Sequence, residues 1–493
     1  MTNLIYSPEQ LNAHSLDVII VGSGPAGVAV AERLYQEHPS ATIGILERGS
    51  VLTLNHISNI FPNELRRPFI DRFKIKPWEG GFQEGGMLLP ALGGRGIAAG
   101  AHLRRFDKDD FKLWANGEWP DSVIKDFPDY YNDAELARRV SVSAIRGPAQ
   151  TWALGLLNSF HAYPPPIGVD LWSEGGFEIG RGYDSSVSRL WKLLIQDTLE
   201  HENEKRRIYV ATNAYVTKIE HKDSQVTGLR FLNTLLKPDN DPVLLQSKIV
   251  VLAASTIESA RLFLHSQLAP ENPIAGCYLA EHIECRAKIM VSPITREVQS
   301  QGVSVVIPPQ KTDKIDPMDR FQIHLRGQPD RDGNLSIDIG GFAAMDPEPA
   351  NCVTLSANRD IYGIPKAYIA ISSSKSDEQR VKRMCLRIRE IKDILGGKFI
   401  TERFPFEEVQ PTYTEEDKAI QKMDWGRSYH EAGTLRMGVN PKTSVTNEFG
   451  QVHGISNLFV ADASLFPCVG IANPMLTITS LAYRVADHIK GEI

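Results

Sequence analysis

At 493 residues the chain is several times longer than one hydrophobic core requires, so two or more structural units sharing an interface are expected, with room for a cleft. With 54 basic against 60 acidic residues and a formal charge of -6, it carries no electrostatic footprint for nucleic acid or an anionic membrane. Its five cysteines, Cys277, Cys285, Cys352, Cys385 and Cys468, are odd in number, far apart and without a CxxC, so they indicate neither a disulfide framework nor a thiolate metal site and fit a reduced compartment.

The opening stretch MTNLIYSPEQLNAHSLD has no basic region followed by an apolar one, so no secretion signal is expected. No later run reaches the roughly 20 uninterrupted apolar residues of a membrane-spanning helix. The expectation is a cytoplasmic protein with no nucleic-acid, membrane or metal partner, although a chain without a signal can still be exported by a partner. The sequence has no internal repeat and no low-complexity tract.

From Leu16 the chain reads LDVIIVGSGPAGVAVAERLYQEHPSATIGILERGS, an apolar strand, a glycine turn, a helix and a second apolar strand, which is a βαβ unit. Gly22 allows the tight turn, Gly24 lets a pyrophosphate approach the backbone, and Gly27 lets the helix pack closely on the strand. The helix opens on Pro25 and Ala26, and its amino terminus offers unpaired N–H groups to phosphates. Glu47 closes the second strand about 20 residues after the last glycine, where a carboxylate accepts hydrogen bonds from an adenosine ribose, with Arg48 beside it. A glycine turn alone is often only a turn. Here strand, helix, second strand and terminal acid coincide, so dinucleotide binding is expected, without a choice between FAD and NAD.

The span Ala91–Phe106, ALGGRGIAAGAHLRRF, crowds glycines and alanines together, and such small residues let a backbone approach a flat ligand. Gly93, Gly94, Gly100 and Ala101 are the expected contacts, although a tightly packed loop reads the same way. Further on, RRIYVATNAYVTKIEHKDSQVTGLRFLN looks like a β-meander and includes Val216 as a further cofactor contact. The run SKIVVLAASTIESARLFLHS repeats strand, small-residue turn and helix, so Ala253 falls at the carboxyl end of a later strand, where ligands of doubly wound sheets lie. Ser255, Thr256 and Glu258 fit helix capping equally well.

The last block, SYHEAGTLRMGVNPKTSVTNEFGQVHGISNLFVADASLFPCVGIANPMLTITSLAYRVADHI, is the most specific. Together with the cradle and the GGRGIAAG segment, in the same order and over roughly half the chain, it resembles the glucose-methanol-choline (GMC) oxidoreductase family, whose members bind FAD and oxidise alcohols. The resemblance implies a fold of the α/β class, with a Rossmann-like FAD-binding domain joined to a second, sheet-containing substrate domain. It places His430, in HEAGTLRMG, against the flavin, and Asn473, followed by Pro474 and Thr477, as its partner. Asp462 and Ala463, in NLFVADASLFP, become cofactor residues, and His282, in GCYLAEHIE, packs near the cofactor.

Elementary chemistry agrees with the pair. Alcohol oxidation removes a hydroxyl proton while hydride leaves the same carbon, and imidazole accepts a proton near neutrality. The Asn473 amide cannot act as a base but can hold the alcohol oxygen as charge develops, while flavin N5 accepts the hydride. His201, His265, His453 and His488 lack such a context and read as structural.

The chain also departs from the family pattern. The position that carries a flavin-linking histidine in several relatives is Ala98 here, and His102 lies four residues later, so FAD is expected to be noncovalent. Ala99 stands where the family often has Asn, and Arg95 where a small polar residue is more usual. The FAD domain is expected from residues 1–120, 185–285 and 425–493, and the substrate domain from 121–184 and 286–424. Runs such as RFQIHLRG and KAYIAISS read as strands of a second sheet, and SDEQRVKRMCLRIREIKDILGG as an amphipathic helix with Met384, Leu386, Ile388 and Ile391 as its apolar positions. A secondary hydroxyl of a sugar or glycoside is the leading substrate, as in the pyranose oxidase and glycoside 3-oxidase branch, with an oxidase favoured over a dehydrogenase. A non-sugar alcohol or biosynthetic intermediate, a lyase that keeps FAD without net redox, and a silent binding scaffold are the alternatives. Trp78, Trp152 and Trp172 could stack on a sugar or fill the core.

Overall fold

In the computed structural model, which describes residues 4–82, 86–100, 102–114, 116–174, 177–201, 205–236, 241–292, 302–310, 316–330, 334–400 and 419–493, the first apolar run forms the strand Val18–Val21 (β1). It lies at the centre of a five-stranded parallel sheet with Ile43–Leu46 (β2), Ile208–Ala211 (β3), Ile249–Leu252 (β4) and the late strand Leu458–Val460. The order across the sheet is Leu458–Val460, β4, β1, β2, β3. Every residue of these five strands is buried, which is why they read as unbroken apolar runs rather than alternating ones.

The helix Pro25–Glu37 (α1) follows β1 through the glycine turn. Gly22 has φ +105°, and a Cβ there would collide with the Ala253 carbonyl, so the turn is pressed onto the end of β4. A Cβ on Gly27 would strike the Gly22 carbonyl, which is the close helix packing expected of it. After β4 comes the helix Thr256–His265 (α2). Ser255 occupies its N-cap position at φ +83°, yet its side chain makes no capping bond.

The expected meander needs correction. Its first strand, β3, joins the parallel sheet, and only Ala214–Lys222, Gln225–Asn233 and Val243–Leu245 form the antiparallel unit. β-branched residues announce a strand but not its partner.

The second large sheet is antiparallel and contains His282–Val291 (β5), Val303–Ile307 (β6), Phe321–Pro329 (β7) and Leu335–Ala344 (β8), in the order β6, β7, β8, β5. Its alternation separates two faces. Cys285, Ile289, Ile323 and Ile337 are buried on the side of the helix Lys375–Ile394 (α3), which supplies Met384, Ile388 and Ile391. The opposite face presents Glu284 and Arg286 on β5, Gln322, His324 and Arg326 on β7, and Asp338, Gly340 and Phe342 on β8. Leu386 is not a core position: it is 60% exposed, because its place in the helical period turns it away from the sheet. RFQIHLRG lies in β7, but KAYIA forms Pro365–Ala370, which pairs with Cys352–Arg359 and Glu79–Gly80 in a separate sheet.

The helix Met475–Ile489 (α4) packs against α1 and against Asp121–Ala137. Among the described residues no helix is long and apolar enough to cross a membrane.

Candidate active site

The carboxyl ends of the parallel strands and the polar face of the antiparallel sheet enclose a cleft of about 760 Å³, the size of a cofactor-and-substrate site. Gly22, Gly24, Pro25 and Ala26 line it, and the first turn of α1 has no side-chain cap, which leaves its amides free for an anion. A Cβ added at Gly24 meets nothing within 4 Å, so the space above this turn is open. Glu47 also faces the cleft, with Oε2 accepting from Ser23 N–H at 3.2 Å and Ser23 Oγ at 2.6 Å, and Oε1 from Gly49 N–H at 2.8 Å. Burial pushes its carboxyl pKa up. Arg48, Val216 and Ala253 continue the same wall, and the Arg48 guanidinium lies 4.0 Å from the centre of the Tyr215 ring.

Gly94 and Gly100 reach the cleft; Gly93 does not. Gly93, at φ +91°, ties the loop to the cradle instead, donating from its N–H to Ser23 Oγ at 2.9 Å and accepting from Ser186 Oγ at 2.6 Å. Ala101 lies outside the described residues. The alanines Ala98 and Ala99 also line the cleft, and the Ala99 carbonyl is 2.8 Å from His56 Nε2. Because a carbonyl only accepts, His56 carries its proton on Nε2, while Nδ1 accepts from Ser58 N–H at 3.1 Å. Burial lowers the His56 pKa to about 4, so the neutral ring is a fixed strut under this loop. Nothing in the sequence around His56 announces that role.

His430 and Asn473 come together on the same cleft, with His430 Nε2 3.2 Å from Asn473 Nδ2. Behind His430 stands His282, its Nδ1 2.7 Å from His430 Nδ1 and its Nε2 2.6 Å from the Gly470 carbonyl. These contacts fix the protons. His282 Nε2–H donates to the carbonyl, so the neutral ring has its lone pair at Nδ1, and His430 Nδ1–H donates to that lone pair. The His430 lone pair is therefore on Nε2, where it accepts from Asn473 and faces the cleft. Burial keeps both rings neutral, lowering His282 to about 4 and His430 well below the usual imidazole range. His282 thus sits one layer behind the cleft, not on its surface.

Other expected contacts serve the frame. Asp462 hydrogen-bonds within the protein: Oδ2 accepts from Ser255 N–H at 2.9 Å and Ser259 Oγ at 2.6 Å, and Oδ1 from Ser464 N–H at 2.9 Å and Ser464 Oγ at 2.5 Å. It fastens the end of Leu458–Val460 to the start of α2, and Ala463 beside it also lines the cleft. Pro474 lines the cleft with Met475 and Ile478, whereas Thr477 turns inward to Tyr131 Oη at 2.8 Å. Arg95, next to the glycine pair, forms a two-pronged ion pair with Glu431 at 2.9 and 2.6 Å. Buried Glu281 accepts from Gly426 N–H and Ser428 Oγ, and burial with the nearby Glu431 charge raises its pKa.

His201, His453 and His488 contact Asp197, Ser444 and Phe449 away from the cleft, as structural histidines do. His265 differs and lines the cleft, as do His102 and His324, which sequence reasoning left without a role. Trp78 is engaged by Glu258 at 2.7 Å, and Trp152 packs on the core.

Residues 347–482 match the family model described as GMC oxidoreductase. The 2-methyl-1,2-propanediol dehydrogenase of Mycolicibacterium austroafricanum is 25% identical over 97% of this chain and 96% of its own length. The C-glycoside 3-oxidase of Microbacterium trichothecenolyticum is 24% identical over 56% of this chain and 53% of its own. The crystal structure of pyridoxine 4-oxidase from Mesorbium loti shares the fold, with a TM-score of 0.69 at 16% identity, covering 96% of this chain and 99% of that one.

Proposed function

We propose, from the premise that this chain has the GMC oxidoreductase fold and carboxyl-terminal domain, that it oxidises an alcohol with noncovalently held FAD and His430 as the base. The observation that carries this reading is the lone pair on His430 Nε2, presented beside the Asn473 amide in the cleft that also holds the uncapped end of α1.

The residues fit FAD: the turn at Gly24 is open to a pyrophosphate, Glu47 stands where a ribose hydroxyl can donate to it, and the loop at Ala98 and Ala99 offers a flat, small-residue surface. Ala98 has no nucleophile to link a flavin. When bound, FAD supplies the acceptor for the hydride. The alcohol hydroxyl donates to His430 Nε2 and receives a hydrogen bond from Asn473 Nδ2, two atoms 3.2 Å apart in the structure. Proton transfer to Nε2 makes the ring a cation, and the Asn473 N–H steadies the negative charge growing on oxygen. The proton on His430 Nδ1 stays there throughout, donated to His282 Nδ1, so no tautomer change is needed.

For the substrate we retain a secondary hydroxyl of a sugar or glycoside, supported by the similarity to C-glycoside 3-oxidase. A non-sugar alcohol is the second reading, supported by the longer similarity to the propanediol dehydrogenase. Oxygen is the preferred acceptor. The lyase and scaffold readings gain no support from these relatives, named as oxidases and a dehydrogenase. Residues 1–120, 185–285 and 425–493 are assigned to the cofactor and 121–184 with 286–424 to the substrate.

An anaerobic screen of sugars, glycosides and simple alcohols, read by bleaching of the flavin, tests the reading. His430→Ala should retain FAD but slow bleaching by about 10²–10⁴-fold. If no alcohol bleaches the flavin, alcohol oxidation is wrong; an unchanged rate in His430→Ala removes the base assignment.

A further inference from the structure

The polar face of the antiparallel sheet carries a cation, Arg326, that no carboxylate among the described residues meets at contact distance. Arg326 on β7 lies directly across from Asp338 on β8, and both line the cleft. Among the described residues its guanidinium makes one hydrogen bond, from Nη2 to His102 Nε2 at 2.8 Å, and no carboxylate lies within salt-bridge distance of it. Its remaining N–H groups face the open cleft. The charges around it are Arg286, already bound to Glu284, together with Arg66 and Asp338. His102 adds none: burial lowers its pKa to about 3, and its Nε2 accepts from the arginine.

The wall from this arginine to the base is continuous. The rings of His102 and His324 are 5.0 Å apart, those of His324 and Phe342 4.9 Å, and those of Phe342 and His430 6.3 Å. Opposite His324 the strand carries Gly340, where a Cβ would come within 3.0 Å of the Phe342 ring, so the missing side chain makes room for that ring on the cleft wall. His324, 9% exposed, has an Nε2 without a hydrogen-bond partner, a second polar group that the chain itself leaves unsatisfied here. Arg326 is exposed to the cleft with no carboxylate in contact among the described residues, and its fork matches a carboxylate in two-pronged geometry.

We propose that Arg326 is a substrate-recognition residue that binds a carboxylate carried by the alcohol, so that the enzyme takes hydroxy carboxylic acids, sugar acids among them, over uncharged alcohols. The inference rests on His430 being the base. Seating the carboxylate on Arg326 leaves the rest of the substrate lying along Phe342 towards His430 Nε2.

The test uses the FAD-bound enzyme with glycolate, 3-hydroxypropanoate, 4-hydroxybutanoate and glucuronate, each beside its methyl ester, and reads flavin bleaching without oxygen. At least one acid should half-saturate at a concentration about tenfold or more below its ester. Arg326→Gln should erase that difference by weakening the acid alone, Arg326→Lys should keep part of it, and FAD content should not change. Esters equal to acids in the wild type, an equal loss for both in Arg326→Gln, or loss of FAD would each overturn the proposal. Protection against thermal unfolding by butanoate, present in the wild type and absent in Arg326→Gln, provides a readout independent of turnover. If no alcohol bleaches the flavin, the alcohol-oxidation reading fails, and butanoate protection still decides whether Arg326 binds carboxylates; its absence rejects the site.

Discussion

Replacing His282 by leucine would remove the acceptor that holds the proton on His430 Nδ1, without touching any group that faces the cleft. In the native site this proton donates across 2.7 Å to a ring that is itself locked by the Gly470 carbonyl at 2.6 Å. Without the acceptor, an Nδ1–H would be buried unsatisfied, at a cost of about 1–3 kcal/mol. The ring then gains by moving its proton to Nε2, where it blocks the lone pair. A bias of that size shifts the competent population by about 5–150-fold, so single-turnover flavin reduction at saturating alcohol should slow by a factor in that range. His282→Asn, whose amide oxygen reaches the level of the lost Nδ1, should recover most of the rate. Stopped-flow absorbance gives the rate, and the oxidised spectrum and melting temperature report whether FAD and fold are intact. A leucine variant that holds FAD and reduces it at the wild-type rate would refute the tautomer argument; a loss of FAD affinity with an unchanged rate would make His282 a packing residue.

Two further outcomes follow from packing. Gly24→Ala adds a methyl group that meets no protein atom within 4 Å, so the FAD-free protein should melt as the wild type does. The methyl occupies the space a pyrophosphate needs and should weaken FAD by about 1–3 kcal/mol, measured by titration; unchanged affinity would move the phosphates elsewhere. On α3, Met384→Ala empties a fully buried position and should cost about 2–5 kcal/mol, whereas Leu386→Ala, at 60% exposure, should stay within about 0.5 kcal/mol. The reverse order in melting would mean that this helix face is misassigned.

The cradle was legible because turn, helix and ribose acid must all fall within about thirty residues, and each leaves its own mark. Gly22, Gly27 and Glu47 could be named from local sequence for that reason. The antiparallel sheet was harder. Alternation in IHLR shows that His324 and Arg326 share a face, but not whether that face meets a helix or a cleft; the answer lies with α3, some fifty residues on. Thr477 shows the same limit on a helix. At 100° per residue Met475 and Ile478 face the cleft together while Thr477 turns to Tyr131, and the block around Asn473 does not reveal where that rotation starts. His282 was visible only as a resemblance, because its function depends on a carbonyl at Gly470, far along the chain and without a side chain of its own.

The threading of the parallel sheet has a consequence for synthesis. The glycine turn at Gly22 leaves the ribosome early, but it abuts Ala253 on β4, and β4 in turn pairs with Leu458–Val460. The helix covering α1 is α4, made later still, and Asn473 immediately precedes that helix. A nascent chain therefore displays half a cradle for most of its translation and cannot close a site around a dinucleotide until the last strand and helix have emerged. The order of strands in this sheet therefore makes completion of the cleft a late step in folding, after its first turn has formed.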